Sequence, residues 1–216
     1  MTTLEPISTG RKHPDARCED CDLNIARATF VLSTGPADAK LAIVGEGPGY
    51  QEGRTGIPFS GPSGKLLDSL LEGNGIDRGT TFLTNATLCR PVNGPLSKKA
   101  IACCKPRLLK ELGELPNLEQ ILTLGNAASQ TVLNTDIGIT TLRVGPPRKS
   151  PYFGDVDVVP TIHPAACLRQ SDFFPNLRND VRKLRSQTVG WVEPEYKVWD
   201  TEEDASNGLL LLLKEY

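Results

Sequence analysis

The chain has 216 residues, 38% of them hydrophobic and 23% charged, with a formal net charge of −2. That suits one α/β domain plus a short appendage. No apolar run is long enough to span a membrane, and the charge offers no global attraction to nucleic acid, so any DNA binding must come from a local basic face. Residues 1–12 lack the apolar core of a signal peptide, which makes a cytoplasmic setting the expectation. In that reducing compartment the six cysteines point to a metal or cluster rather than to disulfides.

Residues 1–16 read as loose and polar. Cys18-Glu19-Asp20-Cys21 follows, a spacing from which two thiolates can grip a metal out of a tight turn. Residues 41–44 form the first predicted strand, and residues 63–73 the first helix, with Ser63 placed to cap it. Residues 81–86 read as a second strand ending near Asn85 and running on to Cys89-Arg90-Pro91. A helix is predicted over 97–112, carrying Cys103 and Cys104. Residues 120–124 make a third strand, and Gly125 opens a helix that reaches about residue 133. Residues 149–153 and 155–161 alternate as strands about Gly154, the second leading into His163-Pro164. A basic helix follows over 174–187. This alternation predicts a three-layer α/β/α sandwich around a short, mainly parallel four-stranded sheet.

The stretch 44–71 organises the rest. Its sequence VGEGPGYQEGRTGIPFSGPSGKLLDSLL joins a strand to a helix through a loop dense in Gly and Pro, an arrangement that turns backbone N–H groups toward a ligand. Neither phosphate-binding spelling is met. Tyr50 stands where a dinucleotide fingerprint needs its third glycine, and Leu66 follows Gly64-Lys65 where a P-loop needs Ser or Thr. The loop instead carries Glu46, Glu52 and Phe59. A flat ring beside carboxylates and bare backbone suits a flat polar ligand, and Phe59 lies outside any apolar periodicity. An ordinary surface loop would carry the same glycines.

In a parallel sheet, function gathers beyond the carboxyl ends of the strands. Asn85 and His163 stand at two further strand ends. Asn85 offers an acceptor and donors, the complement of an imide edge such as that of uracil, although a turn cap would use the same residue. Pro164 fixes an extended loop after His163 rather than a core element.

Together these pieces resemble the family 4 uracil-DNA glycosylases, the iron–sulfur branch of the uracil-DNA glycosylase superfamily, over about residues 18–185. The likeness rests on Gly45-Glu46-Gly47-Pro48-Gly49 with Glu52, on Gly56-x-Pro58-Phe59-x-Gly61, on Thr84-Asn85, and on His163-Pro164-Ala165. It implies that Phe59 stacks on uracil, Asn85 reads its polar edge and His163 supports the leaving base, with Gly47 also lining the substrate site. It further implies that Cys18, Cys21, Cys89 and Cys104 hold a 4Fe-4S cluster. Gly47 occupies the place of the superfamily's water-activating Asp, leaving Glu46, Glu52 or a backbone-held water for that task. Gly53 replaces a common Asp, and Cys103 beside Cys104 keeps the fourth ligand open to question. Ala166-Cys167-Leu168 departs from the usual DNA-wedging loop. The histidine-bearing insertion of covalently trapping relatives is missing after Asn85, so ordinary turnover is expected.

The implied partner is uracil-containing DNA, single- or double-stranded. The expected contacts are Ser63, Arg148, Cys167, Leu168 and Arg169, with Arg143, Lys149 and the cations of 178–185 as further candidates. A glycosylase-like domain is expected over 13–188. Residues 189–216 make an appendage of a linker and a leucine-rich amphipathic helix, which calls for a protein or domain partner and faintly resembles the lead-in of polymerase-attached exonuclease domains. The domain itself is expected to be a monomer. Two other classes fit parts of the pattern: a zinc-stabilised, non-catalytic DNA-binding module, and a small-molecule hydrolase, though no GxSxG elbow is present.

Overall fold

A computed structural model describes residues 12–25, 29–91 and 94–184 of the chain. Its centre is a five-stranded sheet in the order β2-β1-β3-β5-β4. The strands are β1 (Leu41–Gly45), β2 (Thr81–Asn85), β3 (Gln120–Leu124), β4 (Arg148–Lys149) and β5 (Asp157–Thr161). The first, second, third and fifth run parallel, and β4 pairs antiparallel to β5 at the edge. The predicted class is met, with one strand more than expected. All residues of β1 and β3 are buried, which explains why β1 reads as an unbroken apolar run and β3 as a mainly apolar one rather than an alternating one.

Helices cover both faces. They are α1 (Asp22–Ile25), α2 (Tyr50–Thr55), α3 (Pro62–Glu72), α4 (Lys98–Gly113), α5 (Asn126–Leu133), α6 (Ile139–Leu142), α7 (Pro164–Arg169) and α8 (Phe174–Arg182). Side chains alternate across a strand, so Leu41 and Ile43 face a core of Leu67, Leu71, Leu177 and Val181 from α3 and α8. Ala42 and Val44 face the opposite core of Leu108, Leu112, Ala128 and Val132 from α4 and α5. Leu67 and Leu108 are wholly enclosed; burying each such leucine stabilises the fold by about 1.5–3 kcal/mol. A third apolar cluster unites Cys21, Leu23, Phe30, Leu88, Cys89, Ala100 and Cys103 beside the sheet.

Several local expectations are corrected. Ser63 does not cap α3: Pro62 fills its first turn and Gly61 is the N-cap, a use of proline where its missing N–H costs nothing. Residues 50–55, read as loop, form α2. The strand expected over 149–153 stops at Lys149. Ser150 turns its hydroxyl to the Val132 carbonyl instead, and Pro151 has no N–H to extend the ladder. By contrast α4 begins as expected, with the Ser97 hydroxyl accepting from the Ala100 N–H at 2.9 Å. The tail helix expected beyond residue 189, and Arg185 with it, lie outside the described residues. Among those residues no helix is long and apolar enough to cross a membrane.

Candidate active site

The chain turns from one side of the sheet to the other between β1 and β3, and ligands bind at such a crossing. A cavity of about 260 Å³ opens there, lined among others by Gly47, Glu52, Phe59, Ser63, Asn85 and His163. Three strand ends supply it. The β1 loop gives Gly47, Glu52 and Phe59, β2 ends in Asn85, and β5 runs into His163.

Phe59 is held by its backbone. Its φ of +53° lies in the left-handed region, a strained setting for a ring-bearing residue. Gly64 of α3 passes so close that a Cβ there would overlap the Phe59 carbonyl. The ring, 6% exposed, belongs to the α3 side of the core and also lines the cavity. Core packing and ligand contact are thus combined in one side chain, which sequence periodicity alone did not reveal.

Asn85 is 4% exposed and lies opposite Gly45 in the β1–β2 register. A Cβ at Gly45 would collide with the Asn85 amide oxygen and crowd the Phe59 ring, so the missing side chain brings ring and amide together. No hydrogen bond of the Asn85 side-chain amide to the protein is found among the described residues. Its backbone carbonyl, by contrast, accepts from Arg107 Nη2 at 2.7 Å.

Arg107 is a site residue that sequence reading missed. Its side chain is wholly buried. One terminal nitrogen donates to Thr84 Oγ1 at 2.9 Å and to Glu111 Oε2 at 3.0 Å, and the other reaches the Asn85 and Ala86 carbonyls. A signal was present: Ala100, Cys104, Arg107, Leu108 and Leu112 are spaced as one buried stripe of α4.

His163 caps α7 with its own ring, Nδ1 accepting from the Ala165 N–H at 3.1 Å. A ring that accepts at Nδ1 carries its proton on Nε2 when neutral. Burial lowers the His163 pKa from its ordinary 6.5, Glu46 and Glu52 oppose the shift, and Arg169 adds to it. The neutral, Nε2-protonated form is therefore the one at pH 7.

The two carboxylates have separate settings. Glu52 is 8% exposed, and its Oε1 accepts from the Gly61 N–H at 3.1 Å, tying α2 to the start of α3. Glu46 lies against the turn into α5, where Ala127 N–H stands 3.4 Å from Oε1 and a Cβ at Gly125 would approach it to 2.5 Å. Gly125, with φ +86°, is needed there for both conformation and space.

The expected DNA contacts divide. Ser63 lines the cavity. Leu168 is 53% exposed, whereas Cys167 is 7% exposed and faces the core; adjacent helical positions point to different sides, which removes Cys167 from the DNA-facing set. Arg169 is exposed at the end of α7. Arg148 pairs with Val158 near the start of β5, away from the strand ends that form the cavity, and donates to the Leu142 and Val144 carbonyls. Arg143 is engaged by Asp180 at 2.8 Å, an ion pair that Lys183 joins.

The cysteines converge from three segments. Cys18, Cys21, Cys89 and Cys104 are buried. Burial pushes the Cys89 thiol up to about 12, with further increments from Cys104, Cys21 and Cys18. Cys104 also feels Cys21 and Cys18, whereas Cys103 feels only Cys21 among the cysteines. Among the described residues no three potential ligands meet closely enough to hold a single ion.

Comparison with known proteins agrees with this geometry. The sequence profile of the uracil DNA glycosylase superfamily matches residues 32–185. A type-4 uracil-DNA glycosylase of Thermotoga maritima is 35% identical over 170 residues, covering 78% of this chain and 83% of its own length. Enzymes of the same name from Archaeoglobus fulgidus and Pyrobaculum aerophilum are 33% and 32% identical, each over 77% of this chain and 86% and 85% of their own lengths. With the match spanning most of the chain and the strand-end residues gathered at one cavity, the chain belongs to the type-4 branch of the uracil-DNA glycosylase superfamily.

Proposed function

We propose that this chain hydrolyses the N-glycosidic bond of deoxyuridine in DNA, releasing uracil and leaving an abasic site. The observation that carries the reading is the Asn85 amide, buried in the cavity beside the Phe59 ring with no side-chain partner in the protein. Uracil presents N3–H beside O4. The Asn85 oxygen and NH₂ complement that pair, and Phe59 takes the base face. Cytosine reverses the donor and acceptor and meets like with like, at about 1–3 kcal/mol for each group left unpaired. The base reaches the cavity only from a flipped or single-stranded nucleotide.

As the bond to C1′ breaks, negative charge gathers on uracil O2 and the sugar becomes cation-like. Neutral His163 donates from Nε2 to O2, a hydrogen bond that strengthens as charge develops. Glu52 is committed to Gly61, so its task is to hold the loop. Glu46, whose contact with Ala127 N–H is long, is the carboxylate available to orient water or stabilise the sugar cation. Cys18, Cys21, Cys89 and Cys104 are assigned as ligands of a 4Fe-4S cluster, supported by their mutual proximity. When bound, that group supplies a cross-link among three chain segments; hydrolysis needs no electron transfer.

The test is incubation with a labelled oligonucleotide carrying one uracil, then hot alkali and sizing. Cleavage at the uracil, and none at cytosine in a matched strand, is the expected result. An intact uracil strand after treatment with folded protein overturns the reading.

A further inference from the structure

The mouth of the cavity carries a group of side chains that the chemistry above does not use. Tyr50 lines the cavity, yet the residue is 60% exposed. The Arg90 guanidinium carbon lies over its ring at 5.3 Å from the centroid, and that of Arg54 at 5.8 Å. Among the described residues neither arginine is ion-paired with a carboxylate. Two cations are therefore drawn to one aromatic ring, whose quadrupole partly offsets their mutual repulsion. The two guanidinium groups set positive charge at the rim, while the Glu52 carboxylate in the same cavity is turned to the Gly61 N–H.

Gly53 makes the arrangement fit. Arg90 is anchored by its backbone N–H to the Thr29 carbonyl at 2.8 Å, and its side chain then crosses α2 beside Gly53. A Cβ at Gly53 would stand 3.2 Å from Arg90 Cδ. The bare backbone lets the arginine lie flat across the helix, and it places no charge beside it.

We propose that Tyr50, Arg54 and Arg90 form a docking site for a DNA backbone phosphate next to the flipped deoxyuridine. The site rests on the glycosylase reading for the identity of its ligand. A nucleotide whose base sits between Phe59 and Asn85 must lead its strand out past the rim, where Tyr50 joins cavity and cations. Guanidinium groups suit phosphate oxygens because their N–H groups form planar forks, and the ring beneath holds those forks in place before DNA arrives. The ring and the guanidinium planes also offer flat surface to a neighbouring base.

The experiment measures binding of fluorescent oligonucleotides, with and without uracil, across a salt series. Arg54→Gln and Arg90→Gln are each expected to weaken binding roughly three- to fivefold at moderate salt. Each should also reduce the slope of log affinity against log salt by about 0.7–0.9, the signature of one lost phosphate contact. Gly53→Asp, which sets a carboxylate beside Arg90, should reproduce the Arg90→Gln slope. Gly53→Asn, of equal bulk and no charge, crowds Arg90 in the same way and should lower the slope less than Gly53→Asp does. Thermal unfolding and visible absorption of each variant confirm that the fold persists, a needed check because Arg90 follows Cys89. Unchanged slopes in both arginine variants overturn the site, as does a Gly53→Asp slope no lower than that of Gly53→Asn. The uracil-free oligonucleotide separates the two readings. Loss of slope there supports the phosphate site even if uracil is not excised, and uracil excision with unaltered slopes keeps the enzyme while rejecting the site.

Discussion

The base cavity and the cysteine lobe lie at the two ends of one short segment, Asn85 to Cys89, yet they are held together by different forces. The cavity is fixed by covalent chain geometry: a left-handed Phe59, a glycine that α3 needs at position 64, and a histidine that caps its own helix. Nothing has to be added to give it shape. Apart from its stretch of α4, the lobe among the described residues has a three-residue 3₁₀ turn at Cys18–Asp20, the four-residue α1 and isolated bridges such as Phe30 to Cys89. Elements so short do not stand alone, and the lobe gathers thiols that repel one another once ionised. The first region is shaped by its own backbone; the second rests on short segments brought together around buried thiols.

Removing a cysteine ligand should break the comparison most severely. Cys18→Ser, Cys21→Ser, Cys89→Ser and Cys104→Ser are each expected to lose broad visible absorption and to unfold at markedly lower temperature, because binding energy at such a site is folding energy. Cys103→Ser and Cys167→Ser should keep the colour. A brown Cys104→Ser protein beside a colourless Cys103→Ser one would reverse the ligand assignment.

Changing the base reader should spare the lobe. Asn85→Asp removes the donor to O4 and sets acceptor against acceptor, so uracil excision should fall on the order of 10²–10⁴-fold and the preference for uracil over cytosine should narrow. Absorption should remain. Matched uracil and cytosine oligonucleotides decide the matter, and a variant with wild-type rate and selectivity would mean that Asn85 does not read the base.

Arg107 belongs to both regions, three residues beyond Cys104 and bonded to the Asn85 carbonyl. Arg107→Lys keeps the charge but cannot span Glu111 and two carbonyls with one ammonium. A loss of about 2 kcal/mol in denaturant unfolding is expected, with excision reduced and absorption retained. Equal stability of the variant and the parent would show that the two regions are independent.

The mildest perturbation is acid. His163 has its pKa lowered by burial, so the neutral donor persists as pH falls through 6.5, and its protonation limb in excision should lie below that value. The same group contributes stability above its unfolded pKa that is lost as pH falls through the lower folded one. A rate limb at or above 6.5 that disappears in His163→Gln would contradict the lowered value.

Much of the framework was legible because it depends on local pattern. β1 announces itself as an apolar run and β3 as a mainly apolar one, each feeding a glycine turn, and Ser97 marks the start of α4. Asn85, His163 and Phe59 could be named because they interrupt those patterns at strand ends. Arg107 was passed over because five cations along α4 draw the eye to a solvent-facing helix, although its spacing from Ala100, Cys104 and Leu108 marks the buried stripe. Ser63 was misjudged as a cap because Gly61, tied to Glu52 across nine residues, does that work without a side chain of its own. The rim of Tyr50, Arg54 and Arg90 joins α2 to the segment after β2, and only the fold makes them neighbours.

The strained backbone at Phe59 has a kinetic consequence. A ring set during folding costs nothing to order when the base arrives, and this holds for any uracil, attached to DNA or not. The released base has no stack to leave and no strand to bend, so it competes for the cavity with the next deoxyuridine. Turnover should therefore slow as product accumulates, and millimolar free uracil added at the start should reproduce that slowing from the first turnover.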